Sequence, residues 1–305
     1  PAASQAVMTL VIKARCDESP RPTSSDGRSV RRVARWLADE SRGGAAPKIP
    51  RSVVAGLLGN HLLGFQTAGD VRNFLSSVRR CLKEAVVEPT RGLVRYKGRR
   101  TVVKAFPISI DVASFEESAL QDDTAVVARR VRREALPADG QLLLGVDRAD
   151  YTKGIPRRFL AMARLLEASP DLVGKVTLVQ VAVPTRSTVP EYMAYEEEVV
   201  SLASELNGRF GRHDWMPIRL VRENLDQSHL AAYYRAADIC IVSPLQDGMN
   251  LVAKEFIACQ EGRFGVLVLS RFAGAAREMK EALLINPYDI GATAEAMRRA
   301  IRMPV

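Results

Sequence analysis

A chain of 305 residues is long enough for about two domains, and a composition of 47% hydrophobic and 26% charged residues is that of a globular protein, which excludes a largely disordered or low-complexity chain. No apolar run reaches the ~18 residues of a membrane span and no signal-peptide pattern opens the chain, so a cytoplasmic protein without membrane partners is the default expectation. The net charge of +9 is uneven, with 20 basic against 8 acidic residues (+12) over residues 1–110 and 24 against 27 (−3) over 111–305. This asymmetry suits phosphorylated ligands better than nucleic acid, because no aromatic residues interleave with the basic ones and no helix-turn-helix or zinc pattern occurs.

In chain order, the stretch from Cys16 to Arg28 is polar and Pro-rich, residues 1–48 read as disordered, and only Arg32 to Glu40 suggests a short helix. The chain opens on Pro1 rather than Met, from which a fragment or a processed product is expected. Val53 to Thr67 reads as a helix end followed by a short buried strand, Asp70 to Val86 as an amphipathic helix, and Leu93 to Val103 as a hairpin turning at Lys97-Gly98. Past Asp122 helices and strands alternate. Helices are expected over Thr124–Leu136, Pro156–Glu167, Glu191–Asn207, Gln227–Ala236, Asn250–Gln260 and Gly291–Met303. Strands are expected over Leu142–Val146, Val176–Val183, Ile218–Val221, Ile239–Ser243, Val266–Leu269 and Leu283–Ile285. Strands that are apolar throughout and alternate with helices belong in a parallel sheet covered on both faces, so 138–305 is expected to be a doubly wound α/β domain. Residues 49–137 would be the end of a preceding domain and a connector. Cys16, Cys81, Cys240 and Cys259 share no ligand-type spacing and read as reduced bystanders, and the scattered His61, His213 and His229 leave no metal constellation.

The chemistry concentrates where strands end. Asp238 to Val242 is a buried strand followed by Gly248 and then by helical spacing from Asn250, with Leu251, Val252, Phe256 and Ile257 on one face. A helix N-terminus at a strand's carboxyl end is a place for an anion, because its first amides have no partner inside the helix and the dipole is positive there. Asp247 would face the crevice and Glu255 would lie one turn further in. An ordinary strand–helix turn has the same pattern, so geometry leaves both readings open. Asp147-Arg148-Ala149-Asp150-Tyr151-Thr152-Lys153-Gly154 places two cations on the loop leaving another strand, where a planar fork and a point charge could neutralise a diphosphate without a metal; both could equally be surface residues. Arg186 follows a third strand and reads, on sequence alone, as a surface arginine.

Asp247-Gly248-Met249-Asn250-Leu251-Val252-Ala253-Lys254-Glu255 resembles the sugar-nucleotide loop of trehalose-6-phosphate synthases, the family 20 retaining glycosyltransferases of the two-Rossmann GT-B fold. The Arg148–Lys153 motif, Gly64-Phe65-Gln66-Thr67, Asn73-Phe74-Leu75, Phe106 to Asp111, Asn207 to Gly211, Trp215 to Ile218, Ser270 to Ala276 and Asn286 to Asp289 are similar to further family landmarks, so the resemblance covers about 49–305. It implies a C-terminal nucleotide-sugar domain behind the remnant of an N-terminal Rossmann-like domain. The implied reaction moves glucose from UDP-glucose to glucose 6-phosphate to give trehalose 6-phosphate, with no cofactor or metal. The resemblance also implies roles: Arg148 and Lys153 on the diphosphate, Asp247 on the donor sugar, Gly248, Met249, Asn250, Leu251 and Val252 around the donor, Glu255 on the ribose and Arg186 on the acceptor phosphate. Gln246 and Ala149 depart from the family's Arg and Leu, and the family's Gly-rich loop and His motif are missing from residues 1–50. A sister enzyme such as a glucosylglycerol-phosphate synthase, a pseudo-glycosyltransferase and a non-catalytic nucleotide-sugar-binding remnant stay open beside that reading, as does a homo-oligomer. The chain as given is expected to bind donor without turning it over.

Overall fold

The computed structural model describes residues 51–303 except Ala138 and Ser187. The expectations for residues 1–48, including the helix at Arg32 to Glu40, lie outside the described residues. Packing divides the chain into a unit that ends at Ile108 and a second that begins at Ser109.

The first unit contains α1 (Arg51–Leu57), β1 (Leu62–Phe65), α2 (Ala68–Cys81), β2 (Val86–Glu88), β3 (Leu93–Tyr96) and β4 (Arg99–Ala105). Its four-stranded sheet has the order β1-β4-β3-β2, with β1 parallel to β4 and the other pairs antiparallel. The expected hairpin forms at Lys97 and Gly98, whose φ values of 48° and 73° give the left-handed turn that matches strand twist. Thr67 caps α2 in a reciprocal box with Asp70. That helix stops at Cys81 rather than Val86. Val86 to Glu88 instead pairs with Leu93 to Arg95, so pairing with a neighbouring strand overrides the helical period.

The second unit contains α3 (Val112–Leu120), α4 (Asp122–Ala135), β5 (Gln141–Arg148), α5 (Ile155–Ala168), β6 (Val176–Val183), α6 (Pro190–Phe210) and β7 (Ile218–Val221). It continues with α7 (Gln227–Ala236), β8 (Ile239–Val242), α8 (Leu251–Ala258), β9 (Val266–Ser270), β10 (Leu283–Ile285) and α9 (Ile290–Ile301). All strand pairs are parallel, in the order β10-β9-β8-β5-β6-β7. The chain builds outward from β5 to β7 and then returns to build β8 to β10 on the other side. The order therefore reverses between β5 and β8, which is the switch point where doubly wound sheets bind ligands. Alternation along β5 sends Leu143 into the core under α5, α6 and α9, and Leu142 and Leu144 into the core under α4, α7 and α8. The expected doubly wound α/β class is thus the one observed.

Four details differ from expectation. The helix α3, unread in the sequence, is capped by Asp111, whose side chain accepts from the Ser114 amide, and it packs with α4 on the second unit. Helix α8 ends at Ala258, and Ile257 is 45% exposed rather than on its buried face, because the adjacent Phe256 takes the core position. Cys240 and Cys259 are free and buried, but Cys81 is disulfide-bonded, which spacing could not reveal because a disulfide follows proximity in the fold. Cys16 lies outside the described residues. No described helix is long and apolar enough to cross a membrane.

Candidate functional site

Strand β8 is fully buried and hands over to Ser243, from which the chain runs through Asp247 to the start of α8. Asn250 caps that helix: its side chain accepts from the Ala253 amide at 3.2 Å and donates to Asp247 Oδ2 at 3.2 Å. The unusual backbone of the turn falls on Asn250, at φ 72°, whereas Gly248 is not among the residues with positive φ. The cap uses the Ala253 amide and leaves those of Leu251 and Val252, which a helix cannot satisfy internally, facing outward from the N-terminus. The loop after β9 fixes this turn from behind. Gly274 donates to the Asp247 carbonyl at 3.1 Å and Ala275 to that of Met249 at 2.8 Å. A Cβ on Gly274 would stand 2.0 Å from the Gly248 carbonyl oxygen, so only glycine permits this approach. Gly248 and Met249 are themselves buried.

The second loop leaves β5 beside it. The Asp150 carboxylate accepts from the Thr152 amide and hydroxyl at 2.9 and 2.8 Å, which shapes the turn that presents Lys153. Gly154, at φ 66°, starts α5 against the β8 loop, where a Cβ would stand 2.7 Å from the Ser243 carbonyl oxygen. The Leu245 amide donates to the Thr152 carbonyl at 2.7 Å. Lys153 Nζ donates to Asp247 Oδ2 at 2.6 Å, with both side chains less than one-fifth exposed. Arg148, at the end of β5, is exposed and holds no ion pair with a described residue. Arg148, Lys153, Asp247 and the first turn of α8 are therefore brought to one place, at the switch point.

Glu255 faces the protein rather than open solvent. Tyr234, fully buried on α7, donates to Glu255 Oε2 at 2.6 Å, and burial pushes the Glu255 carboxyl above its ordinary value against the effect of that bond. Arg186 follows β6, the neighbour of β5, at φ 50°. Its Nη1 donates to the Tyr192 hydroxyl at 2.7 Å and its guanidinium lies 5.2 Å from that ring's centre. Burial, with Asp150 nearby, pushes the Tyr192 phenol up despite Arg186. Arg186 thus sits at the carboxyl edge of the sheet, one strand away from the Lys153–Asp247 pair.

Sequence reasoning missed the side chains beneath this surface. Arg158, Gln180, Ser243 and Tyr234 are buried polar residues that bond the site's residues or their neighbours. One signal was available: Arg158 falls on the stripe of Ile155 and Met162, where an amphipathic helix should be apolar.

The fold and site so far define a doubly wound domain with a cation-rich, helix-capped anion site at its switch point. The model of Glycosyltransferase family 20 matches residues 49–305, and the chain belongs to that family. It is 38% identical over 256 residues to an alpha,alpha-trehalose-phosphate synthase [UDP-forming] of Candida albicans, covering 84% of this chain and 53% of that protein. It is 41% identical over 260 residues to a trehalose-6-phosphate synthase of Sinorhizobium fredii, covering 84% and 55%. Among solved structures, a synthase from Burkholderia xenovorans in complex with glucose-6-phosphate superposes with a TM-score of 0.79 at 39% identity, over 83% of this chain and 55% of that one. An E. coli structure bound with UDP-2-fluoro glucose gives 0.75 at 34% identity, over 83% and 55%. The chain spans about half the length of the curated relatives it matches.

Proposed function

We propose that this chain provides the donor side of a trehalose-phosphate synthase: it binds UDP-glucose, from which glucose passes to glucose 6-phosphate with retained configuration, giving trehalose 6-phosphate and UDP. The observation that carries this reading is the Lys153–Asp247 pair at the N-terminus of α8, with Arg148 unpaired at the end of the adjacent strand. Arg148, Lys153 and the amides of Asn250 to Val252 would take the diphosphate, whose charge grows as the glycosidic bond breaks, and fixed donors there lower the barrier without reorganising. Asp247 would hold donor hydroxyls and Glu255 the ribose. Asp247 is already engaged by Lys153 and Asn250, a role in positioning rather than in nucleophilic attack. Arg186 would reach the acceptor phosphate. This donor site works without a metal, because the cations and helix amides can balance the diphosphate.

Calorimetry of the chain with UDP and UDP-glucose, with and without EDTA, tests the donor site; absent binding, or binding lost on chelation, counts against it. Product analysis of the whole protein with UDP-glucose and glucose 6-phosphate tests the reaction. Trehalose 6-phosphate supports the reading, and a different glucoside or no product overturns it.

A further inference from the structure

Beneath the donor-facing loops lies a guanidinium that none of the roles above uses. Arg158, on α5, has a side chain with no exposed surface. Its Nη1 donates to Asp147 Oδ2 at 2.7 Å and to Gln180 Oε1 at 2.6 Å, and its Nε donates to Ser243 Oγ at 3.0 Å. These partners belong to β5, to β6 and to the first residue after β8, so one side chain ties together three strand ends across the switch point. Room for it is built into β5: a Cβ on Gly145 would stand 2.2 Å from Arg158 Nη1 and 2.4 Å from Gln180 Oε1.

Stability alone does not account for this arrangement. An apolar side chain of similar volume would avoid the cost of burying a charge, which its partner only partly offsets. Nη2 is moreover buried with no partner among the described residues, a further cost. What the fork does that an apolar residue cannot is fix positions. Asp147 adjoins Arg148, Ser243 opens the loop that carries Asp247, and Arg158 itself rides on the helix that Lys153 and Gly154 begin. We infer that Arg158 is a positioning residue of the donor site, holding the Arg148–Lys153 loop and the Asp247 loop in the register that a nucleoside diphosphate requires. The inference rests on the donor-site reading above.

Two variants test it. Arg158→Lys keeps a cation for Asp147 but loses the fork, and Ser243→Ala removes only the link to the β8 loop. UDP is titrated into each full chain by calorimetry, with thermal melts alongside. UDP affinity should fall on the order of tenfold in Arg158→Lys, as for loss of hydrogen bonds to a charged group, and measurably in Ser243→Ala, whose melting temperature should hardly move. The double variant should lose no more than Arg158→Lys, because both changes break the same link. Unchanged UDP affinity in the folded variants, or losses that simply add, would overturn the inference. Should Arg158→Lys fail to fold, Ser243→Ala decides alone. A wild-type chain that does not bind UDP overturns the donor-site reading instead, and this inference with it.

Discussion

Lys153 Nζ stands 2.6 Å from Asp247 Oδ2, joining two loops that lie 94 residues apart in sequence. The cation and the carboxylate have different tasks in the proposed site, so their substitutions should separate. Lys153→Ala should weaken UDP binding and lower stability by about 1–3 kcal/mol, because the partly buried Asp247 charge loses its partner. Asp247→Asn should leave UDP affinity intact or raised, since a negative charge leaves the diphosphate site, while UDP-glucose loses any advantage over UDP. Calorimetry with both ligands and urea melts check this. Parallel losses in the two variants would show that the pair is structural only.

Arg148 presents the opposite case. It holds no ion pair with a described residue, so Arg148→Ala should leave the melting temperature unchanged. In the whole protein it should cost on the order of 2–4 kcal/mol of transition-state stabilisation, read from kcat/KM. Wild-type turnover in that variant would remove Arg148 from the leaving-group site.

The cap of α8 gives a prediction about backbone. Asn250 combines a positive φ with a side-chain cap, so Asn250→Ala loses the cap and strains the turn, at a cost of about 2–3 kcal/mol. Asn250→Gly relieves the strain and should cost less than the alanine variant. Urea melts rank the two; an alanine variant as stable as the glycine one would contradict the strain at this position.

Glu255 should make stability depend on pH in a defined direction. Its folded-state carboxyl titrates above the ordinary 4.5, so the native state keeps a proton that the unfolded chain has already released. The contribution is fully present below 4.5 and is lost as pH rises through the raised folded value. Glu255→Gln removes this loss, so its stability relative to wild type should improve between about pH 4 and about pH 8 in urea melts. A constant difference across that range would place the carboxyl at its ordinary value.

By itself, the sequence determined the parallel sheet and the positions of its chemistry. Runs such as Leu142 to Val146 and Ile239 to Val242 are apolar on both faces, a property of the local chain, and the motifs that follow them bring their own turns. Arg148, Lys153, Asp247 and Asn250 could therefore be named before any coordinate was known. The edges of elements were less legible: β2 exists because Val86 to Glu88 finds a partner strand, and α3 because Asp111 caps a stretch that reads as a connector. Tertiary structure alone decided which loops meet and which polar side chains lie beneath them. Nothing local sets β8 beside β5, turns Tyr234 onto Glu255 or buries Arg158 among Asp147, Gln180 and Ser243. Periodicity tells a residue only which face of its own element it occupies. Its partner across the sheet is chosen by the order in which the strands pack, and that order follows from burying both faces of the whole sheet at once.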